Sequence, residues 1–292
     1  MSFGNKLKGE NNMGQIAFWG IQHGLGVTSN TAALASIIGM DYQIRTLCSQ
    51  PQWSDNTLES SFKKSINRGN PEFYNMSGTG LDGLERAVRA GKIERDTVKN
   101  NALFIERDRL DLLRGSEKSD KSQFDNANEI MRIIYNGAKE YYDLVLLDVH
   151  SGSNSPVTNT LLEDSDLIVV CVNQNIHVLD KFFKDKESLP KALLRKPHVL
   201  LVGQYDPESK YKVRNIANKY SYKGPILTLP YNTSFKDHLN DGDIKGFISR
   251  NRNISKNHEN YQFIQDLRRN AKYILTEVGI NTQVKMIERG AS

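Results

Sequence analysis

Short apolar runs of strand length alternate along the chain with longer segments whose apolar positions recur at helical spacing. The runs Ile16 to Trp19, Arg45 to Ser49, Ala102 to Ile105, Leu144 to Asp148, Leu167 to Asn173, His198 to Val202 and Ile226 to Leu229 predict strands. Leu144 to Leu147 and Leu167 to Val172 are apolar without interruption, as central strands covered on both faces of a parallel sheet are. Helices are predicted between the strands, among them Asn30 to Met40, Asn126 to Tyr142 and a closing segment from about Asn260 to Val278. In that last segment Leu267, Ala271, Ile274 and Leu275 share one face. Strands and helices in alternation predict an α/β fold, a doubly wound and mostly parallel sheet flanked by helices.

Two polar stretches, Gln52 to Asp82 and Gly115 to Asp125, break the alternation and are expected at the surface as loops or short helices. A single domain is expected over residues 14–280, between flexible tails at 1–13 and 281–292.

Composition narrows the class only slightly. The 292 residues suffice for one large core, and 38% hydrophobic with 25% charged residues is the balance of an ordinary water-exposed globule. No apolar run reaches the roughly 18 residues of a membrane span, and the polar start of the chain lacks the apolar stretch of a secretory signal. Cys48 and Cys171 lie inside strand-like runs, far from any paired-cysteine or Cys/His spacing. Neither a disulfide framework nor a zinc site is suggested, and a reducing cytoplasm fits best. The net charge of +5 is spread among interleaved acids and bases, so it singles out no partner.

The chemistry concentrates between the first strand and the first helix, in Gln22-His23-Gly24-Leu25-Gly26-Val27-Thr28-Ser29. A phosphate-binding loop at this place reads G-x-x-x-x-G-K-[ST]: backbone N–H groups wrap the phosphates, the lysine meets them, and the hydroxyl holds Mg²⁺. Gly26 and Thr28 are present, and Val27 stands where the lysine belongs. The bland alternative is a tight strand-to-helix turn with Thr28 as a helix cap. Thr28-Ser29, the alanine-rich helix and Asp148 after a buried strand favour a phosphate site over that alternative. Asp148 is then the carboxylate on the Mg²⁺ side, its own bland alternative being a strand-end cap. His23 and His150 are read as polar loop residues in solvent, because no nucleophile or carboxylate is spaced to activate them.

The strand, loop and helix around Gly20 to Ala35, with Asp148-Val149-His150-Ser151-Gly152, Leu227 to Phe235 and Asn240-Asp241-Gly242, resemble the MinD/ParA group of P-loop ATPases with a deviant Walker A motif. Within that group the sequence looks most like the TadZ/CpaE-like branch, the atypical ATPases encoded with Flp/Tad pilus and secretion machinery. The resemblance spans roughly Gln15 to Gly279. It implies a nucleotide contact along Gly24, Leu25, Gly26, Val27, Thr28, Ser29, Asp148 and Pro230, with Thr28 and Asp148 on the metal. ATP with Mg²⁺, weakly held, is the implied cofactor. The implied partners are a second copy of the chain and pilus or secretion assembly proteins, with peripheral membrane association through them at the inner face or a cell pole.

The departures from the family pattern bear on activity. Gln22 takes the place of the signature lysine, Val27 that of the ordinary P-loop lysine, and Cys48 and Gln50 that of an Asp-x-Asp pair whose later aspartate orients the attacking water. Gly203 stands where the family offers an asparagine to the adenine. One cationic group contributes ~10³ to 10⁵ in rate to phosphoryl transfer, so losing two lysines and a carboxylate leaves little turnover expected. Binding is less affected, since a lost charge-assisted contact costs only about 1.5 to 3 kcal/mol. A degenerate ATPase acting as a scaffold or localisation factor is therefore the expected function. The alternatives are a slow but genuine ATPase and a ParA-like partition protein on DNA, nucleic acid being the less favoured partner.

Overall fold

In the computed structural model, residues 13–52, 57–69, 78–118, 127–152 and 155–285 are described. Residues 1–12 and 286–292 of the expected tails, 53–56, 70–77 and 119–125 of the two polar stretches, Asn126 at the start of a predicted helix, and 153–154 lie outside the described residues.

Eight strands form one sheet: β1 Gly14–Gly20, β2 Thr46–Ser49, β3 Leu103–Glu106, β4 Leu110–Leu113, β5 Leu144–Asp148, β6 Leu167–Val172, β7 His198–Tyr205 and β8 Ile226–Pro230. Their order across the sheet is β3-β4-β2-β5-β1-β6-β7-β8. All pairings are parallel except that of β3 with β4. Every residue of β1, β2, β5 and β6 is buried, which is why their sequences carry no polar alternation.

The longer helices are α1 Val27–Asp41, α2 Gly80–Arg89, α3 Asn128–Lys139, α4 Pro156–Asp164, α5 Ile176–Lys184, α6 Val213–Tyr220, α7 Thr233–Asn240, α8 Ile244–Arg250 and α9 Tyr261–Glu277. Helix α1 packs with α8 and α9, whereas α3 packs with α2 and α4. Nearly all of α1 is buried, and its Ala, Ser and Gly side chains are small enough to leave it enclosed on every side. Its last turn is anchored by Asp41, a buried carboxylate that accepts from Arg252 at 3.1 Å and from Arg268 of α9 at 2.8 Å.

Three expectations need correction. Strand β4 was not read from the sequence, because Asp111 interrupts the apolar run Leu110-Leu112-Leu113. The interruption is tolerated since the Tyr142 hydroxyl donates to Asp111 at 2.7 Å, and burial pushes that carboxyl up to about 6. Strand β7 runs past its apolar stretch to Tyr205, which pairs with Pro230 across an irregularity where Gln204 takes a φ of 49°. The C-terminal tail expected from Asn281 starts too early, for Thr282–Lys285 is a helical turn beside α9 with Thr282 buried.

The chain passes from β1 to β2 on one side of the sheet, and later takes β6, β7 and β8 to the other. β1 therefore lies at the switch point of a doubly wound sheet, where ligands gather beyond the carboxyl ends of the strands. The Gly24 to Ser29 segment emerges there.

Candidate phosphate-binding site

The loop after β1 depends on two left-handed glycines, Gly24 with φ 81° and Gly26 with φ 75°. An L side chain at either position is strained. Gly26 caps α1 without a side-chain acceptor, and the first helical bond runs from Asn30 N–H to Gly26 carbonyl at 2.9 Å. By helix geometry the N–H groups of Val27, Thr28 and Ser29 have no partner within the helix, and they carry the positive end of its dipole. This open end meets a cavity of about 370 Å³ lined by Gly24, Gly26, Val27, Thr28, Ser29, Gln50 and Asp148. A backbone of this kind is a ready anion site. Val27 is itself buried at 7% exposure, so the position of the missing lysine is closed by an isopropyl group.

Asp148 ends β5 opposite Phe18 of β1, buried at 1% exposure. Burial pushes its carboxyl up to about 7, and hydrogen bonds from Thr28 and Gln50 offset only part of that rise. Its Oδ2 accepts from Gln50 Nε2 at 2.7 Å, while its buried Oδ1 has no hydrogen-bond partner. The same Gln50 Nε2 lies 3.4 Å from Thr28 Oγ1 and 3.4 Å from Thr57 Oγ1. The other end of the Gln50 amide is fixed too, its Oε1 accepting from Leu58 N–H at 3.1 Å.

Thr28 and Asp148, the pair expected on a metal, are thus brought together, and Thr57 adds a further oxygen. A divalent cation needs lone pairs around open space. Here the three oxygens face an amide nitrogen that presents hydrogens. The donor set does not fit a cation while Gln50 holds this position. Gln50 registers in the sequence only as the loss of a carboxylate, and the part played by Thr57 has no sequence signal, because it depends on how the chain returns after β2.

The segment after Asp148 is tied back to β1. Val149 N–H donates to Phe18 carbonyl at 3.1 Å, Gly152 N–H to Gly20 carbonyl at 2.9 Å, and Trp19 Nε1 to Gly152 carbonyl at 2.8 Å. This holds His150 against His23, their ring centroids 4.8 Å apart at an interplanar angle of 64°. Both remain polar loop residues, His23 exposed and His150 half-buried, and their contact is an addition that the sequence did not show. Both rings line the phosphate cavity, where no lysine or arginine is found among the described residues.

On the other flank of α1 a second cavity, of about 260 Å³, is lined by Leu25, Asn30, Gly203, Leu229, Pro230 and Phe235. Pro230 therefore belongs to this space and Asp148 to the first, while Gly26 and Ser29 border both. Cys48 and Cys171 are buried free thiols, with Cys171 pushed up to about 12 by burial and Cys48 further still. Neither is a nucleophile in this state.

A parallel sheet with an open helix end after its central strand and a carboxylate on the neighbouring strand defines a P-loop NTPase fold of the MinD/ParA type. A ParA family ATPase from Chlorobium tepidum TLS superposes with a TM-score of 0.66 at 14% identity, over 91% of this chain and 100% of that one. MinD complexed with Mg-ADP from Pyrococcus horikoshii OT3 gives 0.66 at 15% identity, over 91% and 98%. A putative plasmid partition protein from Borrelia burgdorferi B31 bound to AMPPNP gives 0.64 at 13% identity, over 91% and 99%. No family model matches the chain, and no curated protein matches it in sequence.

Proposed function

We propose that the protein is a degenerate MinD/ParA-like ATPase that works as a scaffold or localisation factor and hydrolyses ATP little or not at all. The observation that carries this reading is the phosphate cavity itself. It keeps the open end of α1, yet its described lining offers Val27 for the lysine, Gln50 for the water-orienting carboxylate, and Asp148 as its one acid. Phosphoryl transfer is mostly positioning and charge stabilisation, and the positioning frame alone does not supply the charge.

The sequence resemblance to the TadZ/CpaE-like branch supports a Tad-like pilus or secretion assembly as the setting, in the cytoplasm at the membrane or a pole. No helix among the described residues is long and apolar enough to cross a membrane, and the reading places membrane association through partners. The sequence resemblance to the MinD/ParA group supports a homodimer formed face to face across the phosphate cavities. Gln22 and His23, both exposed, the segment Asp148 to Ser155, and Gln204 to Asp206 at the end of β7 would form its surface. Without a lysine to bridge to a partner's nucleotide, that contact does not depend on ATP. Light scattering at several protein concentrations, with and without Mg-ATP, tests this. A dimer of equal strength in both conditions is expected; a strict monomer, or a dimer that needs ATP, refutes it. The partition-protein reading draws on the Borrelia neighbour and predicts salt-dependent DNA binding.

A further inference from the structure

We infer that the side-chain amide of Gln50 takes the place of a divalent cation in the phosphate cavity, and that the site consequently works without metal. The inference rests on the P-loop reading of the cavity but not on the scaffold role or the pilus setting. Three oxygens, Asp148 Oδ2 at 2.7 Å and Thr28 Oγ1 and Thr57 Oγ1 at 3.4 Å each, surround Gln50 Nε2. A carboxylate with hydroxyls around one point is a set of hard oxygen donors of the kind that holds Mg²⁺. A primary amide group answers the same set with partial positive charge on its two hydrogens.

The second observation is that Gln50 is held and does not dangle. It is 3% exposed, and its Oε1 is engaged by Leu58 N–H at 3.1 Å. Rotating the amide to expose its oxygen to a cation would break that bond and turn a donor away from a buried carboxylate whose Oδ1 already lacks a partner. A buried acceptor left bare is unfavourable.

Gln50 also connects three pieces of chain that a bound metal would otherwise draw together: the start of α1 through Thr28, the end of β5 through Asp148, and the helical turn Thr57–Ser60 through Thr57 and Leu58. An internal group fixes this arrangement permanently, whereas a dissociable ion fixes it only while bound. The cavity is thereby set in one state without needing Mg²⁺, and ligands suited to it are anions that arrive without a metal.

Paramagnetic broadening by Mn²⁺, with and without ADP, tests the inference on the full chain. In the wild type, the Gln50 side-chain NH₂ signals, assigned by their loss in Gln50→Glu, stay sharp at millimolar Mn²⁺ in both conditions. The Gln50→Glu variant puts a second carboxylate in the same volume and binds Mn²⁺ roughly tenfold or more tightly than wild type by electron paramagnetic resonance, since affinity rises with ligand charge. That gain disappears in Gln50→Glu with Asp148→Asn. Selective broadening of the wild-type Gln50 amide that Asp148→Asn removes would overturn the inference, as would a Gln50→Glu variant that folds and gains no affinity. If Gln50→Glu does not fold, the wild-type titration decides alone, with the signals assigned through the neighbouring backbone. A wild type that excludes Mn²⁺ yet dimerises only with ATP would instead sink the scaffold reading and leave this one standing.

Discussion

The two cavities that flank the start of α1 are lined in different ways. The phosphate side, about 370 Å³, is polar and keeps its backbone, but its charged positions hold Val27 and Gln50. The other side, about 260 Å³, is walled by Leu25, Leu229, Pro230, Phe235 and Phe263 and is continuous with the core. The second cavity is shaped by residues that the fold needs, and so is the glycine-dependent turn of the first. In the first cavity the turn serves the fold and an anion frame with the same backbone atoms, whereas Val27 and Gln50 leave that frame without a cation.

The comparison breaks if both sides respond alike to substitution. The largest effect is expected on the apolar side. Phe235 is 8% exposed and contacts Phe263 at 4.7 Å and Phe247 at 5.8 Å between ring centroids. Phe235→Ala should cost about 3 to 5 kcal/mol in urea unfolding, with the pH dependence contributed by Asp148 unchanged.

Next comes Asp148. Its carboxyl titrates at about 7 in the folded chain against 3.8 ordinarily. Between those values the folded state keeps a proton that the unfolded state has released, so the contribution of Asp148 to stability falls as pH rises from about 4 to about 7. Asp148→Asn removes this loss. The variant should be more stable than wild type by on the order of 4 kcal/mol at pH 8, with no advantage at pH 4. Unfolding curves at the two pH values check it, and an unchanged pH slope would break the account of the buried carboxylate.

Gln50→Leu should cost about 2 kcal/mol at pH 8, the worth of a hydrogen bond to a buried charge. The loss should shrink near pH 5, where Asp148 is neutral. Asp148→Asn in the same chain should abolish most of the difference, which a double-mutant cycle reads directly. The smallest effect belongs to Gly203→Ala, whose new methyl would meet Asn30 Nδ2 at 3.1 Å. A loss of about 1 kcal/mol, the low end for overpacking, is expected by denaturation.

Much of the fold was legible because burial on both faces writes itself as continuous apolar sequence, as in Leu144 to Leu147 and Leu167 to Val172. The parallel pairing of β1, β5, β6 and β7, with the loop at their carboxyl ends, followed from helix-length spacers between them. β4 escaped because its one polar residue is satisfied by Tyr142, 31 positions away. The site was legible where it is backbone: Gly24, Gly26 and the start of α1 are local in sequence. It was not legible where it is a meeting of distant side chains. Gln50 and Asp148 are 98 positions apart, and His23 met His150 only after Gly152 was tied to β1.

In the proposed reading the site keeps its backbone frame without the groups that would perform chemistry. Release of inorganic phosphate from Mg-ATP by the purified wild-type chain tests it most directly. The account predicts release that is absent or very slow; release at ordinary enzyme rates that Asp148→Ala abolishes would contradict it.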